Sequence, residues 1–376
     1  MHIIQVVQEF SVKGGVESVA YELQQQWRNS NVDSTVLAGV SSDYNRVDVK
    51  LVTNPFSKLS TRGGLSKYLG RLIVVPSFTL AATLQLRHTN KDSIILSHGD
   101  SLIGDALIVH AVNKASLKEK QRSGKLSWML NPMHWWVGGR DRYMIGGLRY
   151  QRYIALSTRI ADELHTLYAV PKDRISIIPN GVNIDKFTPF GPGRDQIRQE
   201  LSIHPDAKVL LFVGHEFKRK GLLAVVRALA RLPEDFELIV VGNDYSEPYK
   251  NAARAFEISN RIHFLGPRQD LPEIYRAVDA FVFPTAYEAF GLVTMEALAS
   301  GVPIFATRVG GIEDYLKDGY NGKFITHDPY AIAQTIRDAF ADHAHYEQMK
   351  LAARTSALEY DWKNIAAQYY NLLTTL

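Results

Sequence analysis

Continuous apolar runs alternate with segments of helical spacing, and the alternation is run through twice. In the first half the runs are "HIIQVV", "STVLAGV", "SIILSHG", "DALIVHA" and "RYIALS", with "GGVESVAYELQQQW" a helix after the first. In the second half they are "KVLLFVG", "FELIVVG", "RIHFLG", "AFVFPT", "VPIFAT" and "GKFIT". A strand with no in–out alternation is covered on both faces, which is the condition of a parallel sheet flanked by helices. Two such series predict an α/β chain of two doubly wound, Rossmann-like domains. The 376 residues are enough for two cores. Residues 187–196, "FTPFGPGRDQ", are Pro- and Gly-rich without a period and read as the boundary. This divides the chain into 1–187, 188–355 and a closing segment 356–376. In that last segment Trp362, Ile365, Tyr369 and Leu372 or Leu373 are apolar at helical spacing.

The chain has no cysteine, which excludes a disulfide scaffold and a thiolate nucleophile and fits a reducing, cytoplasmic setting. "MHIIQVVQEF" lacks a basic stretch followed by an apolar one, so no secretory leader is expected. The longest oily run, 72–84, is interrupted by Pro76 and is too short to span a bilayer. Charge is uneven: 1–187 hold 23 Lys+Arg and 15 Asp+Glu, net +8, against 20 and 24, net −4, in 188–376. The first half is therefore expected to meet something anionic.

Three stretches carry chemistry. In "FSVKGGVESV", Gly14 and Gly15 join a strand to a helix, where backbone N–H groups could approach a phosphate; taken alone, a lone glycine pair is better accounted for by a plain tight turn. In "FVGHEFKRKGLLAVV", a strand ends at Val213-Gly214 and Lys218, Arg219 and Lys220 follow before a helix opened by Gly221. Those cations could clamp a diphosphate or form a solvated loop. In "YEAFGLVTMEALASG", Glu288 precedes an oily helix and Glu296 sits inside it. Eight helical residues would place two carboxylates about 12 Å apart along the axis. Glycosidase carboxylates lie roughly 5–9.5 Å apart, so the spacing suits two contacts on an elongated ligand better. The N–H groups near Gly291, Leu292 and Val293 could take a phosphate between them. A helix-start charge and a satisfied core acid are the plainer alternative.

Together with "IPNGVNIDKFTP" and "IHFLGPRQDLPEIYRAVDAFVFPTAYEAF", these stretches make the chain resemble glycosyltransferase family 4 over nearly its whole length. The resemblance implies the GT-B fold, two Rossmann-like domains facing across a cleft. The N-terminal domain would bind the acceptor and the C-terminal domain the nucleotide sugar, with the last helix crossing back to the N-terminal domain. It implies a retaining transfer without metal. Glu296 would hold the ribose and Glu288 would lie near the transferred sugar. Gly15, beside Gly14, would contact the diphosphate and Lys220 would neutralise it. Phe264, Leu265 and Gly266 would read the base through their backbone. Gly214, Ala289, Phe290, Gly291, Leu292 and Val293 complete the implied donor contacts. Many members carry Arg directly after the strand-end glycine; here that residue is His215, so Arg219 is the implied second cation. His110 falls where many members place a histidine beside the donor sugar.

No D-x-D pair occurs, and no metal or other cofactor is expected. Residues 114–152 hold nine Lys+Arg against two acids, with Trp128, Trp135, Trp136, Tyr143 and Tyr150 interleaved. That mix suits an anionic membrane surface, the cytoplasmic face of the inner membrane, or a lipid-linked acceptor. Nucleic acid is the rival occupant but is not expected; an ordinary loop with core aromatics is the third reading. The expected activity is transfer of a hexose from a UDP- or GDP-sugar to a saccharide or lipid-linked saccharide, in polysaccharide, lipopolysaccharide or glycolipid synthesis. A non-catalytic sugar-nucleotide binder and a GT-B phosphorylase or epimerase are the alternatives.

Overall fold

A computed structural model describes residues 1–12, 14–42, 46–54, 56, 65–90, 92–122 and 131–376. The chain divides into two compact units: 1–180 with 362–376, and 181–361.

The first unit is built on seven parallel strands: β1 (His2–Phe10), β2 (Ser34–Ser41), β3 (Val49–Leu51), β4 (Ser93–Ser97), β5 (Ala106–Val109), β6 (Arg152–Ala155) and β7 (Ile175–Ile177). Their order is β3-β2-β1-β4-β5-β6-β7. The crossovers include α1 (Val16–Asn29), α2 (Leu65–Leu86), α3 (Asn113–Arg122), α4 (Pro132–Asp141) and α5 (Thr158–Tyr168). Ile3, Val6 and Leu96 are fully covered, as unalternating strands require. Helix α2 runs through Pro76, and among the described residues no helix is long and apolar enough to cross a membrane.

The second unit has six parallel strands: β8 (Lys208–Val213), β9 (Phe236–Val241), β10 (Ile262–Gly266), β11 (Ala280–Phe283), β12 (Ile304–Ala306) and β13 (Gly322–Phe324), ordered β10-β9-β8-β11-β12-β13. Its helices are α6 (Arg194–Glu200), α7 (Leu222–Leu229), α8 (Glu247–Ala255), α9 (Leu271–Ala277), α10 (Leu292–Ala299), α11 (Ile312–Tyr315), α12 (Pro329–Ala341) and α13 (His343–Leu358). Phe212, Phe281 and Phe283 are wholly buried within it, and each such side chain contributes about 1.5–3 kcal/mol.

The Pro/Gly stretch at 187–196 is not where the units part. Arg276 Nε donates to the Pro192 carbonyl at 2.8 Å and Arg354 Nη1 to the Phe187 carbonyl at 2.9 Å. Those bonds tie it into the second unit, and the chain crosses at 180/181 and again at 361/362. The closing segment accordingly starts at Trp362, later than the expected 356, because 356–358 complete α13. The last helix, α14 (Trp362–Leu373), packs on α1, where Trp27 Nε1 donates to the Ala366 carbonyl at 3.0 Å.

Candidate functional site

In the second sheet the strand order reverses between β8 and β11. The crevice past their carboxyl ends is where doubly wound sheets take ligands. Both strands deliver charged side chains there. β8 runs into Gly214 and the loop bearing Arg219 and Lys220. β11 runs into the segment bearing Glu288. A Cβ on Gly214 would lie 2.5 Å from Lys220 Cδ and 2.8 Å from its Nζ, so only glycine lets the lysine stem lie across the strand end.

Glu288 Oε1 stands 3.4 Å from Arg219 Nη1 and 3.6 Å from Lys220 Nζ. Arg219 is also held by Glu216 Oε2 at 2.8 Å and by the Tyr287 carbonyl. Lys220 Nζ lies over the Phe283 ring, 4.9 Å from its centre. Burial lowers the Lys220 pKa, and Glu288 opposes that shift. Lys218 stays exposed and takes no part. His215 Nδ1 instead accepts from the Asn243 N–H at 3.1 Å.

Helix α10 starts at Gly291, whose φ of +89° and close neighbours demand glycine: a Cβ would meet Thr294 Oγ1 at 2.8 Å and the Tyr315 hydroxyl at 2.9 Å. The N–H groups of Leu292 and Val293 lie in the first turn, where no intrahelical acceptor exists. Glu296 sits on the same helix. The Tyr275 hydroxyl is 3.1 Å from Glu296 Oε2 and 2.9 Å from the Val293 carbonyl. Burial raises the Glu296 pKa to about 7, and Tyr275, Lys186 and Lys220 each oppose the rise. The carboxyl is therefore poised between its two forms near neutrality.

Other implied donor residues fall differently. The ring of Phe290 is buried against Tyr315 and Tyr360, with centroids 5.4 and 6.2 Å away, so only its backbone could meet a ligand. The Ala289 carbonyl accepts from the Gly311 N–H at 3.0 Å. Phe264, Leu265 and Gly266 end the edge strand β10, which β9 separates from β8. The Gly266 carbonyl accepts from the Gly242 N–H at 3.0 Å. Tyr275 and Lys186 were not foreseen: nothing in their local sequence marks a group that reaches Glu296 only through the fold.

The first unit has its own cavity of about 360 Å³, past the ends of β1, β4 and β5. His110 follows β5 and lies on its wall with Glu17, His98, Asp100, Asn113 and Arg140. The His98 and His110 rings stack at 5.3 Å and 14°, with His98 Nδ1 and His110 Nε2 3.1 Å apart. Burial pushes the His110 pKa down to about 3 and that of His98 well below its usual value, so both are neutral at physiological pH. Burial raises Asp100, which accepts from the Gln8 N–H at 2.9 Å and faces Arg140 at 3.8 Å. Gly15 caps α1 with nothing within 4 Å of where a Cβ would be, whereas a Cβ on Gly14 would strike Glu17. Among the described residues no group of three or more His, Asp or Glu could hold a metal ion.

Of the 114–152 aromatics, Tyr150 is core, its hydroxyl donating to the Ser101 carbonyl at 2.6 Å. Trp136 is partly buried, Trp135 and Tyr143 are exposed, and Trp128 lies outside the described residues.

Two family models match: "Glycosyltransferase Family 4" over 13–186 and "Glycosyl transferases group 1" over 193–356. The chain belongs to glycosyltransferase family 4. Among curated family relatives, D-inositol 3-phosphate glycosyltransferase of Xylanimonas cellulosilytica is 33% identical over 57% of this chain and 54% of its own length. That of Corynebacterium diphtheriae is 35% identical over 52% and 49%. The match thus spans about half the length of these relatives. Among solved structures, WaaG, a glycosyltransferase involved in lipopolysaccharide biosynthesis, superposes with a TM-score of 0.80 at 20% identity over 99% of both chains. Anabaena HepE in complex with UDP and glucose gives 0.75 at 18% over 100% of both. The fold is that of the GT-B glycosyltransferases.

Proposed function

We propose that this family 4 member is a retaining glycosyltransferase that moves a hexose from a UDP- or GDP-sugar to a hydroxyl of a saccharide or lipid-linked saccharide. The observation that carries this reading is the convergence of Arg219 and Lys220 on Glu288 where the strand order reverses. In the free protein Glu288 occupies both cations. On donor binding the diphosphate takes them over, with the Leu292 and Val293 N–H groups beside it. The anomeric C–O bond to the diphosphate then breaks while the acceptor oxygen bonds to the same carbon from the same face. The acceptor proton passes to the departing phosphate oxygen. Negative charge grows on that phosphate, and preorganised cations stabilise it. These side chains supply the positive charge directly, so the reaction needs no metal. Glu296 binds the ribose, the first unit serves the acceptor, His110 meets the transferred sugar and Gly15 the diphosphate.

UDP-glucose is the first donor to test, because HepE has been solved with UDP and glucose. A phosphorylated cyclitol belongs among the first acceptors, given the relatives' name. Lipid-linked saccharides come next, because residues 114–152 expose Trp135 and Tyr143 as well as Lys114, Lys118, Arg142 and Arg149, a composition suited to anionic headgroups. The test is nucleoside diphosphate release with donor and acceptor together, in chelator, with the product's anomeric configuration read by NMR. Release dependent on acceptor, independent of chelator and with retained configuration supports the reading. No transfer across the UDP- and GDP-hexoses with these acceptors would overturn it.

A further inference from the structure

His110 is the end of a polar chain that passes through the first unit's core. His98 Nε2 lies 3.0 Å from Gln5 Oε1. Gln5 Nε2 donates to Gln24 Oε1 at 2.9 Å and to the Ala20 carbonyl at 3.4 Å. Gln24 Nε2 donates to Asp48 Oδ2 at 2.9 Å and to the Ser34 carbonyl at 3.3 Å. Gln5 and Gln24 are buried in the packing of β1 against α1, where unpaired amides would be costly.

The direction of every bond is forced from the far end. The Asp48 carboxylate, gripped by Arg46 Nη2 at 2.7 Å, only accepts. A backbone carbonyl also only accepts. Gln24 must therefore turn its nitrogen to Asp48 and Ser34, and its oxygen to Gln5. Gln5 must turn its nitrogen to Gln24 and Ala20, and its oxygen to His98. That oxygen needs a proton from His98 Nε2. A neutral His98 then has a bare Nδ1, and the 3.1 Å contact with His110 Nε2 is a bond only if His110 donates. Among the described residues the His110 ring makes no other hydrogen bond.

The geometry points to Gln5 and His98 as positioning residues that hold His110 as its Nε2–H tautomer. Its Nδ1 is then a bare acceptor at the cavity wall, and the ligand atom that meets it is a hydroxyl or amine rather than a carbonyl or phosphate oxygen. The ligand rests on the proposed transfer reading; the tautomer does not. Neutral rings on both histidines agree with this polarity, since a proton on His98 Nδ1 would face the His110 N–H.

The test is long-range ¹H–¹⁵N correlation on histidine-labelled full-length protein at neutral pH, with the two rings assigned by single substitution among the twelve histidines. Protonated Nε2 and bare Nδ1 on both His98 and His110 is the expected result. A proton on His110 Nδ1, or a cationic ring, overturns the proposal. Gln5→Leu removes the acceptor that orders the chain. It should give a mixture of His110 tautomers and lower kcat about tenfold, the size of one net hydrogen bond, with unchanged affinity for free nucleotide. An unchanged His110 signature in folded Gln5→Leu removes Gln5 from the role. Should that variant not fold, the wild-type spectrum decides alone. Absence of any transfer activity would count against the functional reading and leave the ring measurement standing.

Discussion

Lys220 and Arg219 share the Glu288 carboxylate, and Arg219 also pairs with Glu216, so an incoming anion competes with Glu288 for both cations. Replacing either by Ala should lower turnover roughly 10²–10³-fold, as loss of one preorganised donor does at other charge-stabilising sites. Steady-state kinetics showing near-normal kcat in both variants would remove the diphosphate assignment. Glu296 gives a prediction in pH. Its folded pKa, about 7, lies above its ordinary 4.5, so between those values the folded state holds a proton the unfolded state has lost. Stability of the ligand-free protein should therefore fall as pH rises from 4.5 to 7, by up to about 3 kcal/mol, and Glu296→Gln should flatten that slope. Ribose hydroxyls donate to the ionised form. Nucleotide affinity should rise over the same window, with proton uptake by buffer visible in calorimetry. A pH-independent affinity would separate Glu296 from the ribose. Glu288→Gln removes the carboxylate that competes for Arg219 and Lys220, so it should raise affinity for free nucleoside diphosphate while lowering turnover.

At the scale of elements, the site is a product of strand ends. Gly214→Ala pushes a methyl into the Lys220 stem. It should cost about 1–3 kcal/mol in overpacking and lower turnover in the manner of Lys220→Ala; thermal melts and kinetics on one preparation check both. Most of the strands were legible because buried parallel strands are written as unbroken apolar runs, as in "KVLLFV". β3 and β7 were not, being three residues long and partly exposed. The boundary is not legible locally, because 187–196 has the composition of a linker and is tied into the second unit only by Arg276 and Arg354, which come from far along the chain to bind its carbonyls. Of the candidate site, the convergence of Glu288, Arg219 and Lys220 is legible in motif and strand-end position. Tyr275 beside Glu296, and the Gln5–His98 chain behind His110, are not. Those pairings join separate elements, and no short-range spacing encodes them.

Over the whole molecule, the basic surplus lies in 1–187 and the acidic surplus in 188–376. If four exposed cations of 114–152 reach anionic headgroups, each adds about 1 kcal/mol. Sedimentation with anionic vesicles should exceed that with neutral ones and largely vanish at 1 M salt, where screening acts within about 3 Å. Charge reversal at Lys114, Lys118, Arg142 and Arg149 should reduce it without changing nucleotide affinity; equal sedimentation with both vesicle types would remove the membrane from the reading. The chain's return to its first unit bears on synthesis. Trp27 waits 339 residues for the Ala366 carbonyl. A ribosome adding about 5–20 residues per second needs roughly 20–70 s to deliver that partner. The second unit, contiguous from 181 to 361, has all its residues before α14 emerges. The half made first is thus the half completed last, and until then the face of α1 that α14 will cover is open to whatever holds nascent chains.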